Sequence, residues 1–284
     1  MGRNGDLCTD YQMLLTNKVS SLPKQVLLLY SSFMKIIISP AKNMSMKADS
    51  LEPASLPVFL DKAQVLVQYL KSLSFPELKT LLACNDELTR LNYERYRTIN
   101  LSENTNPALV TYEGIQYKYM APRVFTYDYF DYAQKHLRIL SGLYGVLKPL
   151  DGIVPYRLEM QTKLKTDFCK NLYDFWGADI YKNLTLDDDD ASSKVILNLA
   201  SEEYAKAVRK FVKPTDTFIT CTFAEQVNGS LKEKGVYVKM ARGEMVRFMA
   251  ENNITKSEDI KAFTGLGYRF SREFSQDNRF VFVR

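Results

Sequence analysis

Lys35-Ile36-Ile37-Ile38-Ser39-Pro40 is the stretch on which the fold turns. Three successive isoleucines without polar alternation read as a short strand covered on both faces, and Pro40 ends it because it can neither donate to a ladder nor follow a free backbone. Val195-Ile196-Leu197-Asn198-Leu199 has the same character and reads as a second buried strand. Between them the apolar spacing turns helical, with Phe59, Ala63, Leu66, Val67 and Leu70 on one face of a helix over 59–73. Pro76 opens another helix through Ala83, and Asn85-Asp86-Glu87 caps a third that reaches Thr98. Ala108 to Tyr112 reads as a strand, and Thr126 caps a helix that continues to Leu140. Ser201 caps a helix over 202–212 that Lys213-Pro214 stops. Thr217–Phe223 and Gly235–Met240 read as a hairpin about Asn228-Gly229, followed by a helix over 241–252 and closing strands at 267–270 and 280–283. This succession predicts an α+β or mixed α/β fold, with α+β the first choice, a mixed sheet with surrounding helices in a single large domain.

The chain has 284 residues, 46% of them hydrophobic, which is enough apolar content for a substantial core at a length where one domain suffices. A net charge of +5 is far from polycationic, so an anionic partner must meet a local patch. Cys8, Cys84, Cys169 and Cys221 are scattered, with no C-x-x-C pair; they suit reduced thiols of a cytoplasmic protein and no disulfide framework or zinc site. His136 is the lone histidine, which excludes any site needing two imidazoles. Gln25 to Met34 is uncharged but too short to span a bilayer, and Lys35 interrupts it, so no membrane partner is expected. Met34 is the natural start of the folded domain, 34–284, and residues 1–33 form an N-terminal extension outside it. Without them the chain loses three basic and two acidic residues and carries +4.

No phosphate loop or dinucleotide fingerprint is present, and Gly265-Leu266-Gly267 reads as a turn. No cofactor is expected. Asp187 to Asp190 reads as a solvated loop, because metal ligands need alternating spacing. Leu140-Ser-Gly-Leu-Tyr-Gly-Val-Leu-Lys-Pro-Leu-Asp151 places two glycines close to Arg138, Lys148 and Arg157. Such a turn can bring bare backbone amides to a phosphate, or it can be a structural turn that uses glycine for its backbone freedom. A second basic stretch, Lys232 to Arg247, contributes Lys239, Arg242 and Arg247. If both stretches face one cleft they form a track for a polyanion.

Several of these blocks resemble a known family. Ile38-Ser-Pro-Ala-Lys42, the 140–151 stretch, Pro155-Tyr-Arg-Leu-Glu-Met160, Leu172-Tyr-Asp-Phe-Trp-Gly177, Asn198-Leu-Ala-Ser201 and Ala241-Arg-Gly243 look like the YaaA family of bacterial peroxide-stress proteins. The resemblance implies a cytosolic protein that limits oxidative damage linked to intracellular iron. It also implies DNA binding through a basic cleft and a helix-hairpin-helix element, whose place here is the helix ending at Leu140 with the hairpin Ser141 to Gly145. The DNA-contacting residues expected on this basis are Lys42, Arg138, Gly142, Tyr144, Gly145, Lys148, Arg157, Lys239, Arg242 and Arg247. Binding is expected to have weak sequence preference and strong salt dependence, because no base-reading helix is evident. The alternative is an enzyme acting on damaged nucleic acid or an anionic metabolite through Lys42, with Glu159 or Asp151 as its partner. A site that sequesters iron is not expected, since one histidine and scattered carboxylates give no recognisable metal-ligand spacing.

Overall fold

The computed structural model describes residues 33–46, 51–186 and 194–284. Of the expected extension over 1–33, residues 1–32 lie outside the described residues, as does the Asp187–Asp190 run, while Phe33 belongs to the first strand. Along the chain come β1 (Phe33–Ile38), β2 (Asn43–Met44), and three helices, α1 (Leu60–Ser72), α2 (Phe75–Leu82) and α3 (Asp86–Thr98). Short elements follow: β3 (Asn106–Pro107), α4 (Ala108–Thr111), β4 (Tyr112–Glu113) and α5 (Ile115–Met120). Next are α6 (Tyr127–His136), β5 (Leu137–Ser141), β6 (Gly145–Leu147), β7 (Gly152–Ile153), α7 (Leu172–Trp176) and α8 (Asp179–Thr185). The chain closes with β8 (Lys194–Leu199), α9 (Glu202–Arg209), β9 (Thr217–Val227), β10 (Ser230–Lys232), α10 (Gly235–Glu251), β11 (Arg269–Phe270) and β12 (Arg279–Val283).

The isoleucine strand is the middle of the main sheet, whose order is β11-β12-β9-β8-β1-β5-β6, with β10 paired to β9. Met34, Ile36, Ile37 and Ile38 have no exposed surface, which is why the run carries no polar alternation. From β12 through β9, β8 and β1 to β5 every pairing is parallel, and the antiparallel pairs are β11–β12, β9–β10 and β5–β6. The architecture is therefore mixed α/β with a parallel centre, the second of the two arrangements that the order of elements left open. Element order does not fix which strands become neighbours. One hydrophobic core runs from Met34 on β1 to Phe282 on β12.

The helix starts follow local chemistry. Asn85 Oδ1 accepts the Leu88 N–H at 2.9 Å, and the Glu77 carboxylate accepts the Ser74 N–H at 2.8 Å. The hairpin at Asn228-Gly229 is tighter than its sequence suggested. Both residues take positive φ, 50° and 75°, and a two-residue turn joins β9 to β10. Gly235–Met240, expected as a strand, is instead the first part of α10, which buries Val238, Ala241, Met245, Val246 and Met249 at helical spacing. Ala108 to Thr111 is likewise helical.

The largest correction concerns 137–147. The helix ends at His136, and Leu137 turns to extended geometry to pair in parallel with Ile36. A β-hairpin, β5 to β6, stands where the helix-hairpin-helix element was expected. All of β5 is buried beside β1, and that pairing overrides the helical spacing of Leu137 and Leu140. The glycines serve packing. A Cβ on Gly142 would lie 2.2 Å from the Leu158 carbonyl oxygen, and Gly145, at φ 72°, lies against the Trp176 ring. Trp176 Nε1 closes the turn by donating to the Gly142 carbonyl at 3.0 Å.

Candidate functional site

Ile38 pairs with Leu199, so β1 and β8 release the chain at the same edge of the sheet. From β1 the next strand of the main sheet is β5, on one side; from β8 the chain passes through α9 to β9 on the other. The two loops diverge and leave a crevice at their origin, the topological switch point where parallel sheets collect ligands. Its floor is pinned by serines: the Ser201 N–H donates to Ser39 Oγ at 2.8 Å, and the two hydroxyls lie 3.2 Å apart. The Tyr117 hydroxyl donates to the Ser39 carbonyl at 3.0 Å.

A cavity of about 450 Å³ opens over this floor. One wall is α10, which supplies Lys239 and Arg242 a turn apart. Helix α5 crosses α10 so closely that a Cβ on Gly243 would lie 2.0 Å from the Gln116 carbonyl oxygen, and this crossing brings Gln116 to the same wall. A second wall is 156–159, which lies over the β5 turn. Tyr96 holds it by donating its hydroxyl to the Arg157 carbonyl at 2.6 Å and accepting the Arg157 N–H at 3.2 Å. Glu159 Oε1 then sits between two cations, 3.0 Å from Arg157 Nη2 and 3.1 Å from Lys42 Nζ. Glu203, in the first turn of α9, accepts the Gln161 N–H at 3.1 Å. Burial raises its pKa above the ordinary glutamate value, and the nearby Glu159 carboxylate pushes the same way.

Four cations, Lys42, Arg157, Lys239 and Arg242, thus meet three carboxylates, Glu113, Glu159 and Glu203, in one cavity. The hydrogen bonding is less balanced than the charge. Gln116 Nε2, Arg157 Nε and Arg242 Nε are all buried donors without an acceptor. Arg157 at least has Glu159. Arg242 has no ion pair among the described residues, although burial draws its pKa below the usual arginine value. An arginine stays charged in proteins, and a buried Nε–H that finds no acceptor is costly. The unmet valence of the cavity is all of one kind: it wants acceptors.

The Peroxide stress protein YaaA family model matches residues 34–274. The chain belongs to the YaaA peroxide stress protein family. It is 59% identical over 251 residues to the UPF0246 protein DSY0297 of Desulfitobacterium hafniense, covering 88% of this chain and 98% of that protein. The UPF0246 proteins of Agathobacter rectalis and Ligilactobacillus salivarius are 49% and 46% identical over the same length, covering 88% of this chain and 99% and 100% of those proteins.

Among the residues expected from the sequence to act in DNA binding or in the alternative enzyme, Lys42, Arg157, Glu159, Lys239 and Arg242 converge on the cavity. The others do not. Arg138 is 2% exposed and donates to the Gln134 and Leu137 carbonyls at 2.9 and 2.8 Å, closing the end of α6. Gly142, Tyr144 and Gly145 are buried in the β5–β6 turn, so this segment has no backbone amide to offer a phosphate. Lys148 is exposed, but its N–H is held by Asp151 Oδ2 at 2.8 Å and it does not line the cavity. Asp151 is no partner of Lys42; it is buried against Ser55, whose hydroxyl it accepts at 2.7 Å. Arg247 lies further along α10 and pairs with Glu251 at 2.7 Å. Sequence reasoning missed Gln116, Glu203, Tyr156 and the Ser39–Ser201 contact. For Tyr156 and the two serines the signal was present in the 38–42, 155–160 and 198–201 blocks, but nothing in the sequence showed that these blocks meet; Gln116 and Glu203 lie outside every such block. Among the described residues no helix is long and apolar enough to cross a membrane.

Proposed function

We propose that this YaaA-family chain acts in the peroxide response by binding a small anionic ligand, on the scale of one nucleotide, in the cavity where β1, β8, α5 and α10 meet. The observation that carries this reading is the set of three acceptorless donors on residues that line the cavity, with Arg242 in no ion pair among the described residues. A phosphate or carboxylate placed against Arg242 and Lys239 would meet their charge, and a cavity of this volume suits a small molecule better than a duplex. Beside that anion, Glu203 and the Lys42–Glu159 pair are the groups placed to exchange a proton with the rest of the ligand.

DNA binding is the second reading, supported by the exposure of Lys42 and Lys239 at the cavity. A strand could lay its backbone on these lysines and present one nucleotide inward. The extended duplex track through the β5–β6 turn is not part of it. Competition separates the readings. A labelled adenosine monophosphate should bind, should be displaced by unlabelled nucleotide, and should be lost in Arg242→Gln. If instead duplex DNA binds with a steep salt slope, unaffected by Arg242→Gln and by free nucleotide, the pocket reading fails. In cells, protection from iron-linked peroxide damage is expected to fall with the same variant; full protection by Arg242→Gln would break the link between cavity and stress response.

A further inference from the structure

Behind the wall formed by 156–159, three hydroxyls make a buried chain. Tyr156 Oη lies 2.6 Å from Ser141 Oγ and 2.7 Å from Tyr112 Oη. Ser141 Oγ already accepts two backbone N–H groups, from Leu143 at 3.2 Å and Tyr144 at 2.9 Å. With both lone pairs taken, its own proton must go to Tyr156. The remaining contact can run either way. If Tyr156 donates to Tyr112, the Tyr112 proton is stranded, because Tyr156 is the one partner of its hydroxyl among the described residues and Tyr112 is 2% exposed. If Tyr112 donates to Tyr156, the surplus proton sits on Tyr156, and Tyr156 lines the cavity whereas Tyr112 does not. Only the second arrangement leaves a place from which an acceptor can arrive.

We propose that Tyr156 donates its hydroxyl proton to the ligand, as a fourth donor beside Gln116, Arg157 and Arg242, and that Ser141 and Tyr112 set the direction of the chain. This rests on the reading of the cavity as an anion site and adds the residue that recognises the acceptor group. Burial raises every tyrosine here. Tyr156 reaches about 12 while Tyr112 goes higher, because both neighbours donate to Tyr156 and favour its oxygen as an acceptor.

The test titrates inorganic phosphate and adenosine monophosphate into the full chain and follows both affinity and the tyrosine ultraviolet band. Binding to the wild type should shift that band to the red, as donation from a phenol to an anion does. Tyr156→Phe should abolish the shift and weaken binding by roughly ten- to a hundredfold, the loss of one hydrogen bond to a charged group. Tyr144→Phe, whose hydroxyl lies outside the chain, should leave both unchanged. Tyr112→Phe should weaken binding by severalfold. A gain in affinity there would mean that Tyr156 donates inward, and would overturn the proposal. Binding that Arg242→Gln abolishes and Tyr156→Phe leaves intact, or a wild-type spectrum that does not move, would also overturn it while sparing the anion site. If neither probe binds the wild type, the cavity reading falls and this inference with it.

Discussion

Arg242 concentrates the account at the scale of one residue. A half-buried guanidinium with an acceptorless Nε and no close ion pair costs stability until a ligand arrives, so Arg242→Gln should leave the melting temperature unchanged or raise it while abolishing nucleotide binding; thermal unfolding with and without nucleotide checks both. His136 gives a separate prediction. Its Nδ1 lies 2.9 Å from the Met34 carbonyl, and burial pulls its pKa below the ordinary histidine value, with neighbouring cations adding to the effect. A histidine held neutral in the fold contributes stability above its unfolded pKa of about 6.5, and that contribution is lost as pH falls through this value toward the folded one. The melting temperature should therefore decline below about pH 6.5, and the decline should be shallower in His136→Gln. Of the site, Lys42, Arg157, Glu159, Lys239 and Arg242 were legible as charges in unusual blocks. Gln116 and Glu203 were not, because an isolated glutamine and a glutamate at a helix start have ordinary surface explanations.

At the scale of elements, close approach at glycine carries the most consequence. Gly142→Ala would drive a Cβ to 2.2 Å from the Leu158 carbonyl oxygen, and backbone cannot swing aside as a long side chain can. A loss of about 3 kcal/mol, at the upper end for overpacking, is expected from chemical denaturation. Gly243→Ala acts on the other wall, where the added methyl meets the Gln116 carbonyl at 2.0 Å and separates α5 from α10. It should lower stability by about 1–3 kcal/mol and weaken ligand binding as well, since Gln116 and Arg242 move apart; calorimetric titration of the folded variant reads the second effect. The glycine-rich hairpin was visible in sequence, but its purpose was not. Leu137 to Ser141 carries helical spacing in sequence and forms a strand because β1 offers it a parallel partner, a decision made across a hundred residues and invisible in the local pattern.

Across the whole molecule, the two buried runs at 35–38 and 195–199 were readable as strands, but not as neighbours. Their parallel pairing creates both the α/β architecture and the crevice at the sheet edge, so the fold and the site became legible together only in three dimensions. The described fold begins at Phe33, and deletion of residues 1–32 is expected to leave the melting temperature and ligand binding as they are in the full chain. The charges follow the same logic. Basic stretches that looked like one continuous track divide into a cavity wall, a buried arginine that closes a helix, and surface ion pairs. On the proposed reading, affinity resides in one enclosed site where a track would spread it over a duplex. Isothermal titration of adenosine monophosphate into wild type and Arg242→Gln tests this most directly. Saturable one-to-one binding by the wild type, lost in the variant at equal folded fraction, is the result expected; equal heats from both proteins would contradict it.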